Sequence, residues 1–171
     1  MRGGPGGDVT TREGMRGLRR RWPTGVAIVT MATGEGFRGV TISSLVLLSV
    51  EPPLLAIALE RDSQFQSFLA EDSVFGVNLL DRQQEFLAER FAGRAPVPDR
   101  SFAGVPHRLD AATGVPLIEG SLGFAVARVR QRVDAGDHLL VTGEVIEIEL
   151  PPDSDDPMLV YDARYRSLEI P

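Results

Sequence analysis

The amino-acid sequence predicts a mainly β domain, a β-barrel with inserted helices, on three observations. Seven or eight runs are rich in Val, Ile, Leu and Thr, against two or three segments of helical character. Strands and helices do not follow the βα rhythm that a doubly wound parallel sheet requires. The two longest runs, residues 122–133 (LGFAVARVRQRV) and 139–150 (LLVTGEVIEIEL), flank Gly136, Asp137 and His138 and read as one long β-hairpin.

In chain order, residues 1–10 are rich in glycine, bury little apolar area and are expected to form a disordered tail, which leaves residues 11–171 as a single domain. Residues 11–21 have helical character, ended by Pro23 and Gly25, with Trp22 expected to pack on the next segment of the chain. Residues 26–32 (VAIVTMA) read as a buried strand, and a turn at Gly34 to Gly36 returns the chain into a second strand over 37–42. Two more strands are expected at 45–50 and, past Pro52 and Pro53, at 54–59. Ser63 is placed to cap a helix running to residue 70, and the next strand is expected over 74–80. Asp81 with Gln84 three residues on forms a capping box before a helix that ends at Gly93. Residues 94–112 read as an irregular connection with weak strand character at 107–109, and a last strand is expected at 158–161 after the acidic loop 151–157.

Composition narrows the chemistry. The 171 residues are 43% hydrophobic, enough for one sizeable core. No apolar run approaches the roughly 20 residues of a membrane span and the first residues lack the apolar segment of a signal peptide, so a cytoplasmic protein is expected. The absence of cysteine excludes disulfides, thiolate nucleophiles and cysteine metal sites, and two histidines argue against a metal centre. All 18 basic residues are arginine, so no lysine can form a Schiff base. A net charge of −6, with acids and arginines interspersed, argues against nucleic acid as a partner. Arg19, Arg20 and Arg21 are read as a solvated helix face.

Few residues are left to carry chemistry. His138 stands at the hairpin tip beside Asp137, and two readings stay open: the pair caps a turn through a mutual hydrogen bond, or the imidazole faces a ligand. Gly34, Gly36 and Gly39 match the spacing of a dinucleotide-binding loop, but Val40, Thr41 and Ile42 continue as strand where a helix would have to begin, so the motif is read as a hairpin turn. Thr41, Ser43, Ser44 and Ser49 cluster hydroxyls near approachable backbone, which suits an anionic or carbonyl-rich ligand and equally suits an ordinary loop.

In order and spacing, the segments Thr24-Gly25-Val26, Gly39-Val40-Thr41 through Ser44, Pro52-Pro53, Ser63, Phe75 through Leu80, Phe91-Ala92-Gly93, Gly136-Asp137-His138 and Gly143-Glu144-Val145 resemble the short-chain flavin reductases, the reductase components of two-component flavin monooxygenases. The resemblance runs from about residue 18 to residue 168. It implies an FMN-binding split β-barrel of Greek-key type, usually a homodimer. NADH or NADPH would reduce FMN or FAD by direct hydride transfer, and the reduced flavin would diffuse to a partner monooxygenase. Thr41, Ser43 and Ser44 would lie along the flavin ring and ribityl chain, Ser63 would meet the phosphate, and Phe91 would wall the site. His138 would be the catalytic group beside nicotinamide or flavin, and Thr24, Gly25, Ser49 and Asp137 complete the set assigned to cofactor binding. Where the family carries a phosphate-binding threonine this chain has Phe65, so Arg61 or a backbone amide would substitute. Ala127 replaces a common cysteine, Leu45 a common aromatic, and His107 is read as a surface or loop residue. The same scaffold could also serve as a flavin-binding module without turnover, or as a biosynthetic enzyme that keeps its flavin.

Overall fold

In the computed structural model, which describes residues 10–95, 101–152 and 156–168, the first element is α1 (Thr11–Arg21), opened by Thr10 in a capping box with Glu13. The expected tail, Thr10 apart, and the middle of the acidic loop lie outside the described residues. β1 (Thr24–Gly25), β2 (Ala27–Thr33), β3 (Gly36–Ile42), β4 (Val46–Val50) and β5 (Pro53–Glu60) come in succession. After β6 (Val74–Leu79) comes α2 (Glu85–Phe91), then β7 (His107–Leu109), β8 (Pro116–Ile118), β9 (Gly123–Ala135), β10 (His138–Glu149), β11 (Leu159–Tyr161) and β12 (Arg164–Arg166).

Seven strands form one antiparallel sheet in the order β3-β2-β6-β9-β10-β5-β4. The sheet curls on itself. Ile42 of β3 and Leu55, Ile57 and Leu59 of β5, five places apart in strand order, bury into the same cluster with Val29, Phe75, Val77, Val129 and Val141. Alternation accounts for this: in β2, Ala27, Val29 and Met31 face the barrel interior, while Ile28 joins a second cluster on the outer face with Phe91, Phe102 and Met158.

The turn at Gly34 joins β2 to β3 as an antiparallel hairpin, with Thr33 opposite Gly36, so the glycine spacing there belongs to a strand connection. The Asp81–Gln84 capping box forms as expected, although it opens a short 3-10 turn, Arg82–Gln84, ahead of α2. Gly93 closes that helix at φ 73°, a conformation that suits a residue without Cβ. Three expectations are corrected. The segment after Ser63 is a 3-10 turn, Gln64–Phe68, because Phe65 and Leu69 are drawn into the core and leave no regular helical face. Trp22 is 70% exposed. His107 is half-buried in β7, its Nδ1 2.7 Å from the Val105 carbonyl and its ring edge-on to Phe37 and Phe102.

A buried polar group locks the centre. Asn78 of β6 donates to the Ile28 carbonyl at 2.9 Å and to Thr30 Oγ1 at 3.2 Å, and accepts from the Ile118 amide at 2.7 Å. Thr30 Oγ1 in turn donates to the Pro116 carbonyl at 2.6 Å. The side chain thereby joins β2, β6 and β8 with its polar atoms satisfied. Asn78→Ala strands the Ile118 amide and opens a cavity, and is expected to lower unfolding free energy by about 3 kcal/mol in urea denaturation.

Candidate functional site

A cleft of about 1890 Å³ opens where β3 ends and the loop after β5 begins. That exceeds the roughly 300–1000 Å³ of a pocket for one drug-sized ligand, so two ring systems can share it. α1 borders one side with Arg16, Arg19 and Arg20, while Tyr161 and Tyr165 border another. Arg19 and Arg20, read from sequence with Arg21 as a solvated helix face, are exposed and also border the cleft, while Arg21 does not line it. Nothing in their local pattern marks them, because only the chain's later course brings the opposite wall beneath the helix.

Thr24, Thr41, Ser43, Ser44, Ser63, Phe91 and His138 all line this cleft. Gly25, Ser49, Arg61 and Asp137 are absent from its lining. Ser49 sits on β4 opposite Leu54, on the sheet's edge. Arg61 turns the other way: its Nε donates to the Gly136 carbonyl at 2.7 Å and its terminal nitrogen lies 2.9 Å from Asp134 Oδ1.

The lining hydroxyls divide by what they already bind. Thr41 Oγ1 donates to the Ala88 carbonyl of α2 at 2.7 Å. Ser44 Oγ donates to the Ala58 carbonyl at 2.7 Å and accepts from the Ala58 amide at 3.1 Å, completing the edge of β5 beyond the end of β4. Both protons are engaged in holding the walls together. Ser63 makes no side-chain hydrogen bond that caps the turn after it. Thr24 Oγ1 is buried without a hydrogen-bond partner. A group that brings carbonyl, hydroxyl and phosphate oxygens fits this donor set.

Phe65 closes off one possibility. Its ring is 6% exposed and packs edge-on to Phe68, so the residue where a phosphate donor was sought is part of the barrel core. Phe91 is fully buried rather than a bare wall, because its ring rests on Gly39: a Cβ there would stand 2.7 Å from two ring carbons.

At the hairpin tip, Gly136 at φ 66° and Asp137 form a two-residue turn, and β10 begins with His138. His138 Nδ1 lies 2.7 Å from Asp137 Oδ1. That hydrogen bond, with a further contribution from the Arg19 guanidinium, holds the Asp137 carboxyl below the usual carboxylate range. An ionised carboxylate only accepts, so Nδ1 carries the proton and Nε2 is the ring nitrogen left for the cleft. His138 is thus tied to the turn through Asp137 and also lines the cleft. Across the cleft, burial and a hydrogen bond to Glu89 push the Tyr165 hydroxyl up to about 12, and it accepts from Arg94 at 2.9 Å. Among the described residues no group of three or more His, Cys, Asp or Glu side chains is arranged to hold a metal ion.

The family model for the flavin reductase like domain matches residues 19–169. The NADH:FMN oxidoreductase of Rhodococcus qingshengii is 33% identical over 154 residues, spanning 88% of this chain and 78% of that protein. The reductase component of 4-hydroxyphenylacetate 3-monooxygenase from Thermus thermophilus is 34% identical over 165 residues, spanning 94% of this chain and 99% of that protein. Among solved structures, the NADH:FAD oxidoreductase of Streptomyces globisporus aligns with a TM-score of 0.84 at 29% identity, over 100% of this chain and 95% of that one.

The division of hydroxyls has a measurable consequence. Ser44→Ala leaves both polar groups of Ala58 without their partner and is expected to cost about 1–2 kcal/mol of stability in urea. Ser63→Ala, which removes no internal bond, is expected to stay within about 0.5 kcal/mol of the parent.

Proposed function

This chain belongs to the flavin reductase like family, and from that premise we propose that it is an NAD(P)H:flavin oxidoreductase that supplies reduced flavin to a separate monooxygenase. The observation that carries the reading is the cleft itself. It has room for two ring systems, hydroxyls with no internal partner on its walls, and an oriented imidazole at its rim.

Flavin, when bound, supplies the hydride-accepting ring that the protein's side chains lack. The chain's own work is binding and orientation. In this reading Ser43 and Ser63, which line the cleft, donate to flavin oxygens, with Ser63 toward the phosphate. Thr41 and Ser44 shape the wall through their bonds to Ala88 and Ala58, and Phe91 supports it from beneath. His138, held by Asp137, presents Nε2 to the nicotinamide or to the flavin edge and can hold a proton there. With Phe65 in the core and Arg61 engaged at the tip, phosphate anchoring falls to Ser63 and to the exposed, solvent-screened arginines of α1 that border the cleft. That suits loose binding, about −8 kcal/mol for a micromolar ligand, as the release of reduced flavin requires. It also favours this reading over a module that keeps its flavin.

The assembly is a homodimer in this reading. β4 carries Leu47 at 77% exposure and Val50 at 90%, next to the exposed Val46 and Leu48, an edge strand that a second copy would cover. In this reading the enzyme works in the cytoplasm, where nicotinamide and flavin both diffuse freely. No helix among the described residues is long and apolar enough to cross a membrane.

Oxidation of NADH or NADPH followed at 340 nm is expected to depend on added FMN or FAD, and His138→Ala to lower kcat/KM roughly tenfold, about 1.4 kcal/mol of barrier. Unchanged turnover in the variant would remove His138 from the mechanism, and no oxidation with either flavin would remove the reductase activity. Light scattering is expected to give a dimer mass for the parent protein and half that mass for Leu47→Glu.

A further inference from the structure

We propose that Arg61 is a positioning residue for His138, fixing the hairpin tip that presents the imidazole to the cleft. The inference rests on the reading of His138 as the catalytic group, and it starts from the two turn residues before His138, which stand beyond the last rung of the β5 ladder. β6 accompanies β9 only as far as Arg128, opposite Val74, and every residue of β9 from Arg130 to Ala135 is exposed. On the other side, β5 pairs with β10 until Glu60 meets His138, and its ladder ends there. β10 is therefore flanked by β9 and β5 up to His138 itself, and the turn residues Gly136 and Asp137 stand beyond the last rung of the sheet.

Arg61 stands one residue beyond the end of β5 and binds the tip at three points. Its backbone amide donates to the Asp137 carbonyl at 3.0 Å. Nε donates to the Gly136 carbonyl at 2.7 Å, and the terminal nitrogen pairs with Asp134 at 2.9 Å. These contacts take the residue before His138, the glycine whose rotation steers the turn, and the descending strand. A second tie backs the first: the Gln66 side-chain amide donates to the Arg61 carbonyl, and Arg132 of β9 reaches the Gln66 carbonyl at 3.5 Å.

Exposed ion pairs add little to stability, and both partners here are exposed. The effect of Arg61 is therefore geometric, on where the imidazole points. Lysine cannot reproduce it fully, because one ammonium cannot address Gly136 and Asp134 with the fixed fork of a guanidinium.

The test compares the full chain with Arg61→Gln and Arg61→Lys, using two readouts. The sequence holds two histidines, so ring nitrogen shifts report His138 and His107 separately. In Arg61→Gln the Nδ1-protonated pattern of His138 is expected to give way to a tautomer mixture while His107 stays unchanged, which also certifies the fold. Turnover with NADH is expected to fall roughly fivefold to tenfold, mainly in kcat. The ratio of KM values for FMN and riboflavin should hold within about twofold, and Arg61→Lys should recover part of the rate. Unchanged His138 resonances with unchanged turnover would overturn the proposal. So would a tenfold or larger rise in KM for FMN alone, about 1.4 kcal/mol, which would make Arg61 a phosphate ligand. Should the parent protein oxidise no nicotinamide at all, the reductase reading falls, and the ring shifts still decide whether Arg61 orients His138.

Discussion

The seating of Phe91 on the bare backbone of Gly39 is the contact on which the site's architecture depends. A side chain at position 39 would overlap the ring, and two residues further along the same face of β3, Thr41 binds the Ala88 carbonyl one helical turn before Phe91. Together they press α2 flat against the outer face of the strand. The inner face of β3 meanwhile gives Val40 and Ile42 to the barrel. The strand is held from both sides, and its end, where Ser43 and Ser44 turn into the cleft, is correspondingly well placed. Without that anchorage the hydroxyl run would be a loose connection.

The long hairpin works under a different constraint. One face of it is core along much of its length: Val126, Ala127 and Val129 of β9 and Leu139 and Val141 of β10 are buried, and Gly143 lets the Phe75 ring approach to where a Cβ would stand 2.9 Å from it. Two register shifts, at Thr142/Gly143 and Val145/Glu147, bend the pair so that it follows the barrel wall. Toward the tip β9 loses its β6 partner and runs exposed from Arg130 to Ala135, while β10 keeps β5 beside it as far as His138. Polar contacts from Arg61, Gln66 and Arg132 take over, which is why a histidine in a part-exposed turn can still have a defined orientation.

The cleft also shows one polar atom serving one purpose. A serine that completes the edge of β5 cannot at the same time offer its proton to a ligand, and an arginine bound to a turn cannot reach across the cleft to a phosphate. Resemblance groups such residues because they recur together. Hydrogen-bond geometry marks those that build the walls and the tip, Thr41, Ser44 and Arg61, and leaves Ser63 without a bond to the turn it precedes.

By itself the sequence determined the elements: the antiparallel strands, the Asp81–Gln84 cap, the glycine turn that is no dinucleotide loop, and the hairpin with His138 at its tip. Each arises from local rules of alternation, capping and turn chemistry acting over a few residues. It determined the excluded chemistry too, since a residue type that is absent cannot act. What only the tertiary structure decided is which polar groups are already engaged and which surfaces face each other. Ser44 and Ser63 look alike in sequence, yet the first hydroxyl meets Ala58 fourteen residues away and the second meets nothing internal. Phe65 entered the core, and the α1 arginines came to overlook the cleft, through contacts between segments far apart in the chain. Such contacts leave no local periodicity, because they arise only when the sheet curls and brings its distant strands together.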